Sequence, residues 1–311
     1  MQNFIANITD CIGNTPLLKL VNINLPNNCN LFLKLEFLNL GNNIKARTAL
    51  SMIEEAEKKS FINPTINTLL EVTSGNQGIS AAMIGAIKGY KVIIIMPENM
   101  SIERVKLIKA YGAEIILAPK GNNIKEAIDN CFTIANSLQE KDKNIYMLKQ
   151  FENIDNPLAH RKTAQEIIKQ MNNLSIDAVI SGLGSGGCIS GLSEEFKKQK
   201  LSTKFIVADP IKCSVLSNLP LTHHEQQGIG DGIIPPFLNK DLINKVILVK
   251  DDDAIKTAKI LANKHGIFCG ISSGTNVWAA MELAKEMPQG SNIVTFICDT
   301  GERYLSTKLF Q

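Results

Sequence analysis

The chain has 311 residues, 44% hydrophobic and 20% charged, with a formal net charge of +3. That is the composition of a globular protein with material for one large core or two ordinary ones, and it excludes fibrous and low-complexity chains. With no basic block and no aromatic-interleaved stripe, nucleic acid is not expected as a partner.

In chain order, residues 31–36 read as a strand and 45–59 as a helix. The turn Gly41-Asn42-Asn43 joins them, so Lys45 falls in the first helical turn. Residues 68–72 form a strand, 77–88 a helix, and 91–96 a strand stopped by Pro97. Residues 101–111 form an amphipathic helix, with Ser101 as cap, Ile102, Val105 and Ile108 as its apolar face, and Gly112 as its end. A strand at 114–117 and helices at 124–138 and 157–171 follow. Strands at 176–181, 205–208, 246–249 and 293–297 alternate with helices at 187–200, 251–265 and 273–287. Such alternation predicts an α/β protein with mostly parallel sheets and helices on both faces, that is, three-layer α/β/α units. Two blocks, split near residue 146, predict a smaller domain (46–146) and a larger one (1–45 with 147–311), with a cleft between them.

The longest apolar runs, such as 92–96, are too short to span a bilayer. The segment Met1-Gln2-Asn3-Phe4-Ile5 has neither the charged nor the apolar part of a signal peptide. Seven scattered cysteines (Cys11, Cys29, Cys131, Cys188, Cys213, Cys269, Cys298) contain no C-x-x-C pair. The expectation is therefore a reducing, cytoplasmic setting, with the thiols as small buried hydrophobes. His223-His224-Glu225 lacks further ligands, so no metal site is expected.

Three segments carry chemistry. The glycine loop Gly182-Leu183-Gly184-Ser185-Gly186-Gly187 follows a strand and opens a helix, where unpaired N–H groups favour a phosphate. Alone it also fits a tight turn or a dinucleotide fingerprint, but the next strand leads to Asp209-Pro210, late for a ribose-binding acid. Lys45, at a helix start beside Arg47, is placed to lose its proton more easily than an isolated lysine. Thr73-Ser74-Gly75-Asn76-Gln77-Gly78 is a donor-rich loop that suits a carboxylate; its bland alternative is an N-capping loop. An amine, a carboxylate loop and a phosphate cradle are what a pyridoxal phosphate enzyme needs.

Eight segments together resemble the cysteine synthase and cystathionine β-synthase branch of the fold-type-II pyridoxal phosphate enzymes, whose fold is tryptophan synthase β-like. They are residues 12–17 (Ile-Gly-Asn-Thr-Pro-Leu), 44–47, 73–76, 150–157, 182–187, 228–230, 270–274 (Gly-Ile-Ser-Ser-Gly) and 301–307. The resemblance implies that Lys45 is the Schiff-base lysine and moves the α-proton. It implies that Asn76 bonds the cofactor's ring hydroxyl, that Gly184, Ser185, Gly186, Gly187 and Cys188 hold its phosphate, and that Ser272 faces the pyridine nitrogen. Thr73, Ser74, Asn76, Gln77 and Gln150 would hold the substrate carboxylate. A serine at 272 keeps the ring a mild electron sink, which suits loss of a β-substituent. The resemblance also implies a homodimer, closure of a mobile portion of the smaller domain on substrate, and a chain without the regulatory extension or haem segment of longer members.

The family usually has aspartate at 46, threonine at 77, threonines at 185 and 188, and a small uncharged residue at 231. Here these are Ala46, Gln77, Ser185, Cys188 and Asp231. Asp231 is the candidate base for water attack at Cβ. The expected activity is β-replacement on serine- or cysteine-type amino acids, exchanging sulfide with an acetoxy or hydroxyl group. Alternatives are a sulfide-forming cysteine lyase, thiol exchange of the cystathionine β-synthase kind, a non-catalytic relic, or a nicotinamide oxidoreductase.

Overall fold

The structure, a computed structural model, describes residues 4–73, 75–98, 100–122 and 124–311. The elements in order are β1 (Leu17–Lys19), β2 (Asn30–Leu35), α1 (Lys45–Lys58), β3 (Thr68–Val72), α2 (Asn76–Lys88), β4 (Lys91–Pro97), α3 (Ile102–Ala110), β5 (Glu114–Ala118), α4 (Ile124–Lys141) and β6 (Ile145–Met147). After these come α5 (Asp155–Met171), β7 (Ala178–Gly182), α6 (Gly187–Lys198), β8 (Lys204–Pro210), β9 (Lys245–Val249), α7 (Asp251–His265), α8 (Ile271–Ala284) and β10 (Asn292–Ile297). They build a six-stranded sheet in the order β1-β2-β10-β7-β8-β9 and a four-stranded sheet in the order β5-β4-β3-β6. All pairings are parallel except β1 with β2.

Both sheets are covered on both faces, and strand alternation explains how. In the larger sheet Ala178, Ile180, Ile206 and Ala208 point into the core under α7 and α8. Their neighbours Val179, Phe205 and Val207 point into the core under α5 and α6. In the smaller sheet Leu69, Val92, Ile94 and Met96 meet α1, α2 and α3, while Leu70, Val72 and Ile95 meet Cys131 and Ala135 of α4. Strands buried on both faces read as continuous aliphatic runs, which is why these strands were visible in the sequence.

Several local expectations change. The strands β1 and β6 are only three residues long and carry no pattern of their own. Helix α5 begins at Asp155 and α8 at Ile271, earlier than expected, and Pro97 closes β4 from inside the strand, paired with Ala118. Ser101 does not cap α3 with its side chain; its hydroxyl donates to the Arg303 carbonyl at 3.1 Å. Ile102 is 51% exposed, whereas Ser101, Arg104 and Ile108 are buried. Helix α3 therefore presents a half-polar face to the molecule, because besides α2 and β5 it packs on the turn Gly301–Tyr304, which is itself polar. Of the cysteines, Cys11 is exposed and Cys188 and Cys298 are half-buried, against the expectation of full burial; all seven are free. No helix among the described residues is long and apolar enough to cross a membrane.

Candidate active site

Lys45 is the first residue of α1. The turn before it is pinned to the end of β10: Ile44 N donates to Cys298 O (2.8 Å), and Asn43 bridges Asp299. Asn43 Oδ1 accepts from Lys45 N (2.9 Å) and Ser80 Oγ (3.0 Å), which fixes the first turn of α1 against α2. Among the described residues the Lys45 ammonium has no hydrogen-bond or ion-pair partner. It lines a cavity between the two sheets together with Thr73, Gly75, Asn76, Gln77 and Gln150 on one side. Gly184, Ser185, Cys188, Asp231 and Ser272 border the same cavity on the other. The residues expected from sequence thus converge, with three qualifications. Ser74 lies outside the described residues. Gly186 and Gly187 do not border the cavity; Gly186 is the N-cap of α6, with φ +76°. Arg47 does not act on Lys45 as a free charge, because Glu36 and Glu166 enclose it in ion pairs of 2.7 Å.

The glycine loop is tight for reasons the geometry makes plain. A Cβ on Gly187 would collide with the Asn156 side-chain amide, and one on Gly184 with the Gly228 carbonyl. Gly186 needs its left-handed φ to start α6. Asn156 Nδ2 donates to Ser185 Oγ (3.0 Å) and to Gln150 O (2.7 Å), tying this loop to the segment bearing Gln150. The Asn156 Oδ1 atom is buried without a partner among the described residues. Burial pushes the Cys188 thiol up to about 12, with only a small offset from Ser181, so it sits there as a neutral weak donor.

On the opposite wall, Thr73 Oγ1 accepts from Gly75 N (3.2 Å). Asn76 Nδ2 donates to Asp299 Oδ2 (2.6 Å), and Asn76 Oδ1 is buried without a partner among the described residues. Asp299 also accepts from Tyr304 OH (2.8 Å). Gln77 directs its Nε2 toward Glu71 Oε2 at 3.5 Å, a long contact, and its Oε1 has no partner among the described residues. Ala46 is fully buried in the core beside α2. Ser272, in the first turn of α8, is buried, and its hydroxyl bonds no described residue. Asp231 also accepts no hydrogen bond among the described residues. One of its carboxylate oxygens would lie 3.7 Å from a Cβ built on Gly184. Burial raises its pKa, against the opposing pull of Lys45 and His224.

Residues with no site role expected from sequence complete the cavity or its support: Arg104 and Cys298 on its walls, with Glu71, Asp209 and Asp299 behind them. Burial pushes the Glu71 carboxyl up to about 8 and that of Asp209 to about 7. The available signals were weak: Glu71 stands two residues before the polar loop, and Asp299 follows a strand and precedes Thr300-Gly301. Of the histidine pair, His224 is buried, its ring bonding Gly230 O (3.1 Å) and accepting from Gln226 N (3.1 Å). No group of three or more metal-ligating side chains occurs among the described residues.

A partnerless amine, a glycine turn at the start of a helix, and a free hydroxyl opposite form a donor set that suits a phosphorylated aldehyde. Comparison with known proteins agrees. The family model for pyridoxal-phosphate dependent enzymes matches residues 8–299. Cysteine synthase B of Campylobacter jejuni is 44% identical over 304 residues, covering 97% of this chain and 98% of its own. The cysteine synthase of Staphylococcus aureus is 41% identical over 310 residues, covering 99% and 98%. Among solved structures, a hydrogen sulfide-producing enzyme from Fusobacterium nucleatum superposes with a TM-score of 0.91 at 38% identity, covering 97% of this chain and 100% of its own. On that family match and near full-length identity, the chain belongs to the pyridoxal-phosphate dependent enzymes, in their cysteine synthase branch.

Proposed function

We propose that the chain catalyses pyridoxal-phosphate-dependent β-replacement on serine- and cysteine-type amino acids, exchanging sulfide with an acetoxy or hydroxyl group at Cβ. The observation that carries this reading is the Lys45 ammonium, without a partner among the described residues, in one cavity with the glycine loop and the 73–77 loop. When bound, pyridoxal phosphate supplies an aldehyde that condenses with amines and a ring that accepts electrons from the substrate's α-carbon. Lys45 would hold the aldehyde and carry the substrate's α-proton. The backbone N–H groups of residues 184–188, at the start of α6, would hold the phosphate. Ser272 would offer the ring nitrogen a hydroxyl rather than an acid. Asn76, its amide fixed by Asp299, would orient the ring. Thr73, Ser74, Gln77 and Gln150 receive the amino acid's carboxylate.

The unit of residues 46–146 carries the carboxylate loop, and a mobile portion of it closes over residues 1–45 and 147–311. Slower proteolysis of 46–146 in the presence of serine would support this, and an unchanged rate would refute it. The enzyme works as a cytoplasmic homodimer; light scattering at the monomer mass would refute the dimer.

A specific observation favours a second reading, sulfide release from cysteine. Asp231 brings a carboxylate, with no hydrogen bond from a described residue, over the glycine loop, where it takes a proton from water attacking Cβ. Mass spectrometry of products from O-acetylserine, serine and cysteine, each with and without sulfide, separates the readings. Asp231→Asn should abolish serine formation from cysteine while sparing sulfide addition. Equal loss of both activities argues against the water-base role, and no product from any pair argues against β-replacement itself.

A further inference from the structure

One buried charge in the cavity wall has no place in this chemistry. Arg104 is 2% exposed, forms no ion pair among the described residues, and leaves Nε and Nη1 without hydrogen-bond partners. A guanidinium keeps its charge inside proteins, and burying it without a counter-charge is strongly unfavourable. Its face rests on the Tyr304 ring, 4.9 Å from the centroid, which supplies no acceptor. Its edge packs on the carboxylate loop: a Cβ built on Gly75 would lie 2.6 Å from Arg104 Nε and 3.2 Å from Cζ. Arg104 therefore packs against Gly75 and borders the cavity that holds Lys45. The neighbouring acids Glu103 and Asp299 form no ion pair with it, although Asp299 Oδ1 is itself buried without a partner among the described residues. Glu103 accepts from Ser306 N and Oγ, and Asp299 Oδ2 accepts from Asn76 and Tyr304.

The geometry points to Arg104 as a specificity-determining residue whose missing counter-charge is the carboxylate of the amino-acid substrate seated on the 73–77 loop. The ligand class follows: an amino acid with a free carboxylate, in preference to its amide. The inference rests on the β-replacement reading, which supplies such a substrate. A merely structural arginine would prop Gly75 by volume and stacking, with no preference for charge in the ligand.

The test titrates the cofactor-loaded wild type, Arg104→Gln and Arg104→Lys with L-serine and with L-serinamide, following the visible absorption band. The wild type should prefer serine. In Arg104→Gln that preference should shrink about 10- to 100-fold, the worth of one charge-assisted hydrogen bond. Arg104→Lys should keep part of it, since the charge remains but the planar fork is lost. A loaded Arg104→Gln protein with undiminished preference overturns the inference. So does a wild type that binds serinamide as tightly as serine, a result that needs no variant to fold. Band shifts with both ligands but no preference sink the Arg104 role alone, whereas no shift with any amino acid sinks the β-replacement reading with it.

Discussion

Arg47 and Arg104 are both buried, at 5% and 2% exposure, yet they sit in opposite kinds of surroundings. Arg47 is gripped by two carboxylates, Nε and Nη2 on Glu36 at 2.7 and 3.0 Å, Nη1 and Nη2 on Glu166 at 2.7 Å each. It ties α1 to α5 and to the segment holding Thr15, a purely structural junction. Arg104 has a ring and a glycine beside it, and no ion pair with an acid among the described residues. A buried charge matched within the chain belongs to the fold; one left unmatched at a cavity wall belongs to the ligand. Lys34 and Lys45 repeat the contrast: Lys34 is fully buried and bonds Thr15 O, Glu166 and Gln170, while the Lys45 ammonium bonds no described residue.

The contrast is sharpest at Lys45. Lys45→Ala should lower turnover by at least about three orders of magnitude, the scale seen when a covalent catalytic group is removed. It should leave the melting temperature nearly unchanged, because no described residue loses a partner. Product assay beside thermal unfolding checks both; a large loss of stability would place Lys45 with the structural cations instead.

The next effect lies on the matched side. Arg47→Met should cost about 3–5 kcal/mol in urea unfolding, since Glu36 would be left fully buried without a cation and Glu166 would keep only Lys34. Arg104→Met, leaving no orphaned acid, should cost less than about 1 kcal/mol or stabilise. Equal costs would erase the distinction. Acid exposes the same junction. Burial alone would raise the Glu166 carboxyl from 4.5, but donors from Arg47 and Lys34 outweigh it and hold the group at about 2. A depressed carboxylate contributes stability that is complete above its unfolded value, so this contribution should fade as the pH drops from 4.5 to about 2. Glu166→Gln should flatten unfolding free energy over that window.

The same contrast explains how much of the molecule can be read from its sequence. The β3, β4, β7 and β8 runs are legible because strands covered on both faces must be continuously aliphatic. Lys45 is legible because a glycine-asparagine turn and a helix start bracket it, and the glycine loop because it joins a strand to a helix. Arg104 is not. The apolar residues of α3 are Ile102, Val105 and Ile108, and Arg104 falls at the edge of that stripe, where an arginine reads as a solvated charge. The helix packs on α2, β5 and the polar turn Gly301–Tyr304, and the Ser101–Arg104–Ile108 face is the buried one. Glu71 is hidden differently: a single acid in a strand carries no periodic signature, and only the fold reveals that it faces a cavity wall.

Glu71 offers a third way to break the comparison, because an acid escapes a burial that an arginine must endure. Burial pushes its carboxyl up to about 8, which Gln150 and Gln77 offset only in part. Between 4.5 and about 8 the folded chain holds a proton that the unfolded chain has released. Stability should therefore fall as pH rises through this window and level off above it. Glu71→Gln removes the titration, and relative to wild type it should gain on the order of 2–4 kcal/mol between pH 4 and pH 9. Parallel pH profiles for the two proteins would mean that Glu71 is ionised in the fold and matched by a cation, as Arg47 is matched by acids.

The smallest effect tests how the unmatched arginine is held. Ser101 is positioned to cap α3, yet its hydroxyl goes to Arg303 O, beside the Tyr304 ring on which Arg104 lies. Ser101→Ala should cost only about 0.5–1.5 kcal/mol, the net worth of one hydrogen bond. Removing a cap would cost about as much, so the alanine variant alone does not separate the roles. Ser101→Asp does. Aspartate is a good N-cap and would restore stability if capping were the contribution. It has no proton to donate to the Arg303 carbonyl and would place an acceptor against an acceptor. If docking onto the Gly301–Tyr304 turn is what matters, Ser101→Asp should be less stable than Ser101→Ala, and urea unfolding of the two variants decides between cap and dock.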